Sequence, residues 1–216
     1  MKFLLSVYVL QGLILVVAAG TSFAQSSSIA AMDFLVSHSA AYRATDVKYP
    51  RKETYKYEVL SEGKVTYSST EVSEYLGYDK YRIIETEISD GKTKVKEAIQ
   101  IGQNRYCREN SAKWDNNCYE PPPAAAMGHI DGAIYMLESA SDSKTYVRIY
   151  KTQKEEKGKP APLVFVTEDR SVLNRDMSHR SRSIIRTNSV TKEIISSTTV
   201  KYEYGIKFSP IEAPIK

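Results

Sequence analysis

The stretch from Tyr81 to Ile101 reads YRIIETEISDGKTKVKEAIQI, and its reading decides the fold. Tyr81 to Ser89 and Lys92 to Ile101 are two runs rich in Ile, Val, Thr and Tyr, residues that fit a pleated surface. Between them stands Asp90-Gly91, a pair favoured in two-residue hairpin turns because both positions take positive φ. The pattern predicts an antiparallel hairpin. Upstream, Tyr55, Tyr57 and Val59 alternate with Lys56 and Glu58, a period of two. Ser61-Glu62-Gly63 marks a turn, Lys64 to Leu76 a long strand, and Gly77-Tyr78-Asp79 the next turn. Downstream, Gly102-Gln103-Asn104 leads into a strand from Arg105 to Asn110, with a tip at Ser111-Ala112-Lys113. Five or more strands joined by tight turns predict an antiparallel meander.

The two cysteines, Cys107 and Cys118, fit that pattern. A hairpin centred on Ala112-Lys113 sets them opposite one another, where a disulfide can bridge them. Such a staple would lock the tip that carries Trp114, the only tryptophan. C-x₁₀-C with no nearby His is not a zinc spacing. Beyond Pro121-Pro122-Pro123, Met127, Ile130, Ile134 and Leu137 recur at spacings of three and four and predict a short amphipathic helix. Gly128 and Gly132 weaken it, as would suit a movable cover; an ordinary crossover helix packed on the core fits the same pattern. Another helix is predicted from Ser27 to Ala41, with Ile29, Met32, Leu35 and Val36 at helical spacing and Ser27 or Ser28 as cap. Further strands are expected at Lys144 to Thr152, Leu163 to Thr167, Val172 to His179, Ser183 to Ile185 and Ile194 to Tyr204.

The beginning of the chain reads as an address. Lys2 precedes an almost continuous apolar run from Phe3 to Ala19. Ser22-Phe23-Ala24 then places small residues at the −3 and −1 positions of a cleavage site before Gln25. Residues 1–24 are therefore expected to be a secretory signal peptide, and residues 25–216 a single exported, soluble domain, periplasmic or extracellular. In that setting an even cysteine count favours oxidation. Composition narrows the class further. With 42% hydrophobic and 26% charged residues the chain is not of the disordered type, and 10 Gly and 8 Pro in 216 exclude a collagen-like one. A formal net charge of +4 is too small to argue for nucleic acid.

The order of elements resembles the bacterial periplasmic lipoprotein-carrier superfamily, the LolA/LolB-like half-barrels with their relatives LppX/LprG and RseB. Ala98 to Asn110 followed by Lys113-Trp114 looks like the family's I-x-I-G-x-x-x-Y-x-R-x-N-x-x-x-W hairpin. Leu163 to Leu173 is similar to its W-I-D-x-x-T-G-L hairpin, although Phe165 is followed by Val166-Thr167 and the glycine of that turn is absent. Tyr202-Glu203-Tyr204, Ile206, Phe208 and Pro210 resemble its final strand and end. The cysteines are no part of the general pattern. The resemblance implies a mainly β chain with a few helices (α+β): a curved antiparallel sheet forming an incomplete β-barrel, with helices covering the concave face. It also implies a cavity for acyl chains or other apolar ligands.

On that reading Tyr57, Val59, Tyr67, Ile83, Ile99, Ile101 and Tyr202 line the ligand cavity from the sheet, and Met127, Ile130 and Ile134 from the cover helix; the same pattern fits an ordinary packed core. Sixteen Tyr against five Phe accord with a half-wet interior, since Tyr joins an apolar ring to a polar tip. The same count follows from β-propensity alone. Arg175, Arg180, Arg182 and Arg186 form a basic stretch suited to an anionic lipid surface or acidic protein, or to a solvated edge. No catalytic residues, metal or cofactor are expected. His38, His129 and His179 stand in different elements without ligand spacing, and each is expected to be a surface or half-buried residue rather than a ligand. Neither a nucleophile elbow nor a phosphate-binding glycine loop is present. The expected partner is a lipid or a lipoprotein acyl chain, with a membrane or protein as a further candidate and no nucleic acid. The alternative is an interaction or sensor module that acts through its surface.

Overall fold

A computed structural model describes residues 25–118, 129–155 and 162–214. The expected signal peptide and Met127 lie outside them. In chain order the elements are β1 (Gln25–Ser28), α1 (Ala31–Asp46), β2 (Arg51–Ser61), β3 (Lys64–Gly77), β4 (Lys80–Ser89), β5 (Lys92–Ile101), β6 (Asn104–Glu109), β7 (Ile134–Ser139), β8 (Ser143–Lys154), β9 (Leu163–Asn174), β10 (His179–Asn188) and β11 (Ile194–Tyr204). All strands join one antiparallel sheet in the order β1-β7-β8-β9-β10-β11-β2-β3-β4-β5-β6. Two meanders, β2–β6 and β7–β11, are thus sewn together where β11 pairs with β2. The sheet is open, with β1 at one edge and β6 at the other.

The hairpin at Asp90-Gly91 forms as the sequence predicts. Both residues have positive φ, 50° and 71°, the type I′ pattern whose twist matches that of the flanking strands. The next tip differs. Asn110 and Ser111 take the positive-φ positions, and Cys107 exchanges backbone hydrogen bonds with Asp115 at 2.8 and 2.9 Å. The hairpin therefore turns earlier than expected, and Cys118 is not the cross-strand partner of Cys107. The two cysteines nevertheless stand at disulfide distance, Cα–Cα 5.7 Å, because the chain curls back after Asp115. Closing so short a loop contributes about 2–3 kcal/mol in the entropic model. Reduction is expected to lower the urea midpoint accordingly. Thiol titration of the unfolded, unreduced protein should find no free cysteine, and two free thiols would remove the staple.

The cover helix expected around 127–137 is not formed. Ile134–Ser139 is strand β7, in register with β8 from Ile134↔Ile149 to Ser139↔Lys144. Gly132 has φ +71°, a turn conformation that a helix interior does not admit. Tyr135 and Leu137 face one side, and the neighbouring strand supplies ladder partners for a segment whose helix was intrinsically weak. The serines expected to cap α1 are likewise in a strand: Ser27 and Ser28 pair with Leu137 and Met136. Ala30 takes the N-cap position without a side-chain bond.

Helix α1 buries Phe34, His38, Ala41 and Thr45, spaced four, three and four apart, so they form one stripe. The apolar stripe read from sequence is rotated from this one. Met32 and Val36 are 68% and 58% exposed. The reason lies in what the helix meets. Strand β9 buries alternate residues, Phe165, Thr167, Asp169, Ser171 and Leu173, so the facing surface is apolar only at its ends. Phe34 and Ala41 cluster with Tyr135, Tyr146 and Leu173, while His38 and Thr45 meet polar side chains.

Candidate functional site

Direct cross-strand partners share a face, so one row can be followed from edge to edge. It runs Leu137, Tyr146, Ser171, Arg182, Val200, Tyr55, Glu71, Glu85, Lys96 and Glu109. Ser171 is bonded to His38 of α1 at 3.3 Å. This is therefore the face against which α1 lies, and it continues to β6. The side-chain contacts of α1 fall on β7 to β10 and, at its C-terminal end, on Arg51, whose guanidinium donates to the Thr45 carbonyl at 2.9 Å. Over β3 to β6 the same face holds a cavity of about 610 Å³.

Its floor is the adjoining row, Ile83, Ala98 and Cys107, completed by Cys118. Charged side chains rim it. Lys96 donates to Glu87 at 2.8 Å and to Glu85 at 3.3 Å; the hydrogen bond from Lys96 holds the Glu87 carboxyl below its ordinary value. Arg108 and Glu97 alternate with the floor residues and pair at 2.7 Å on the opposite face of the sheet, where Arg108 lies 4.6 Å from the Trp114 ring centre. Glu109 pairs with Lys94 at 2.8 Å. Arg105 and Lys113 also line the cavity. Arg105 Nε is buried and has no hydrogen-bond partner among the described residues.

The residues expected to line a cavity divide. Val59 pairs with Tyr67, and Tyr202 shares a row with Glu53, Ser73 and Ile83; with Tyr57, these lie on the α1 face. Of them Ile83 lines the large cavity. The rings of Tyr57 and Tyr67 stand 6.1 Å apart, and Tyr67 borders a smaller cavity at the hairpin tips. Ile99 and Ile101 are on the opposite face, since Ile99 pairs with Arg82 rather than Ile83. Ile130 lies in a loop and donates its backbone N–H to the Tyr135 hydroxyl at 3.3 Å. Ile134 is exposed on β7. The four arginines are not one patch. Arg182 and Arg186 share the α1 face, where Arg186 lies over the Phe165 ring at 4.1 Å. Arg175 bonds the Ser141 carbonyl and Arg180 pairs with Asp142.

Sequence reading missed a buried polar network beneath α1. Arg182 grips Asp169 with two hydrogen bonds of 2.9 Å and donates to the Tyr42 hydroxyl at 2.8 Å. Arg148 adds a third to Asp169 at 3.0 Å. Burial pushes the Asp169 carboxyl up, but the hydrogen bond and charge of Arg182, then Arg148, outweigh it and hold it below its ordinary value. His38 stacks on Tyr42 and His179 on Tyr202; both histidines are buried, against expectation, while His129 is exposed. Burial, then Arg182, pulls His38 down to about 4. Burial, then His38 and Arg182, pulls His179 down to about 3. No sequence motif marks these residues, and the sequence reads Glu168-Asp169-Arg170-Ser171 as a turn between two short strands, whereas the four residues are the middle of the continuous strand β9.

Among the described residues no three metal-ligating side chains converge, and no helix is long and apolar enough to cross a membrane. No family model, no curated protein and no solved structure matches the chain, so its function is argued from its own residues.

Proposed function

We propose that this chain is an exported binding protein that takes the alkyl chain of a lipid or lipoprotein into the cavity over β3 to β6. In this reading the open sheet curves into an incomplete barrel, α1 covers part of its concave face, and the β3–β6 part is left for the ligand. One observation carries it: a cavity of about 610 Å³ with an apolar floor and a charged rim, within the size range of small-molecule pockets, roughly 300–1,000 Å³. Each buried CH₂ contributes about 0.8 kcal/mol, so an alkyl chain is held firmly yet reversibly. The cysteine pair at disulfide distance supports an oxidising compartment. Native mass spectrometry of the protein purified from the exported fraction is expected to show an extractable lipid adduct. Protein that is repeatedly empty and also fails to take up added lipopeptide would overturn the reading.

A second reading, a module that acts through its surface, is favoured by the other part of the same face. There the interior is filled by the chain's own Phe34, Tyr135, Tyr146 and Leu173. A stoichiometric, salt-sensitive protein partner in pull-downs, with no lipid adduct, would select it.

A further inference from the structure

We propose that the cavity over β3 to β6 selects an amphiphile with one alkyl chain and an anionic head, and that Arg105, assisted by Lys113, receives the head. The inference rests on the lipid-binding reading and adds the sign of the ligand's charge. Net charge does not decide it, because acidic and basic groups nearly balance around the cavity. Pairing does. Lys96 is held by Glu85 and Glu87, and Arg108 by Glu97. The carboxylates are occupied as well: Glu109 by Lys94, Glu71 by the Ser73 hydroxyl at 2.9 Å, and Asp115 by the backbone N–H of Asn117 at 2.9 Å.

Arg105 is the exception. It lies two residues before Cys107 on the same face of β6, in the row of Gln100 and Tyr81, beside the apolar floor. It makes no ion pair among the described residues, and its Nε is buried without an acceptor. A buried donor on a permanent cation needs an anion or strong acceptor to offset its desolvation. The planar guanidinium fork matches a carboxylate or phosphate group in two parallel hydrogen bonds. Lys113, on the loop after β6, also lines the cavity and has no carboxylate partner among the described residues. A head group held there leaves its alkyl chain over Ile83, Ala98 and the two cysteines.

The test is displacement of a fluorescent apolar probe from the delipidated full-length protein by four sixteen-carbon ligands: palmitate, hexadecyl phosphate, hexadecanol and hexadecyltrimethylammonium. Palmitate or hexadecyl phosphate is expected to bind about 10-fold or more tightly than hexadecanol, the span of one charge-assisted hydrogen bond. Those two arms tell a carboxylate head from a phosphate. In Arg105→Gln the ratio is expected to fall toward one. Equal binding of anion and alcohol, or a preference for the ammonium, would overturn the inference while leaving lipid binding intact. So would a ratio unchanged in both Arg105→Gln and Lys113→Gln. Failure of all four ligands would overturn the lipid-binding reading itself. The ratio in the unmodified protein decides the matter even where a variant folds poorly.

Discussion

Replacing Asp169 with alanine is expected to destabilise the protein by roughly 3–5 kcal/mol, the range for breaking a buried ion pair from one side. Asp169 is 1% exposed and accepts from both Arg148 and Arg182. Removing it leaves two guanidinium groups under α1, one of them already carrying an unpartnered Nε. Arg182 would keep only Tyr42. The loss should appear as a lower urea midpoint at unchanged slope. Asp142→Ala, which removes the exposed partner of Arg180, is the matched control and should change stability little. Equal midpoints for the two variants would show that the network does not hold the helix to the sheet.

The second large effect is loss of stability in mild acid. His38 and His179 titrate at about 4 and about 3 in the folded protein, against about 6.5 in an unfolded chain. Between those values the unfolded chain binds more protons, so stability rises with pH. It is complete above about pH 7 and declines as pH falls through 6.5 towards 4. At about 1.4 kcal/mol per unit, and allowing for the coupling of two neighbouring rings, the pair accounts for roughly 3–6 kcal/mol. Glu53 works in the other direction, since burial raises its folded value despite Arg51, and offsets part of the loss. Asp169, held low, adds its own loss only below this window. Urea unfolding at pH 7.5, 5.5 and 4.5 should show the fall, and His38→Gln should flatten it. An unchanged free energy across that range would contradict the burial of neutral imidazoles against Arg182.

Local signals account for the parts of the fold that were legible. Asp90-Gly91 must turn where it stands, and period-two alternation from Tyr55 onward leaves few choices but a meander. The helix read at Met127 to Leu137 failed because four apolar residues at spacings of three and four do not exclude a strand. Tyr135 and Leu137 also alternate, and pairing with β8 is a tertiary contact that no local window contains. The stripe of α1 was misplaced because helix amphipathicity presumes an apolar partner. Its partner, β9, is polar at Thr167, Asp169 and Ser171, so His38 and Thr45 turned inward and Met32 and Val36 outward. Of the residues read as cavity lining only Ile83 borders the candidate cavity, while Cys107 and Cys118 were legible as a pair and not as its lining. Nothing local sets Arg105, Glu71 and Lys96 apart from other charged strand residues, and only the register of β3 to β6 gathers them around one space.

The central claim is that an alkyl chain occupies the β3–β6 part of the α1 face. Photo-crosslinking locates it most directly. The protein is incubated with palmitate carrying a mid-chain diazirine, irradiated and digested, and the labelled peptides are identified by mass spectrometry. Label is expected on the strands that carry Ile83, Ala98 and Cys107, and excess unlabelled palmitate should compete it away. Label confined to α1 or to the outer face around Ile99 and Ile101, or no competable label at all, would contradict the claim.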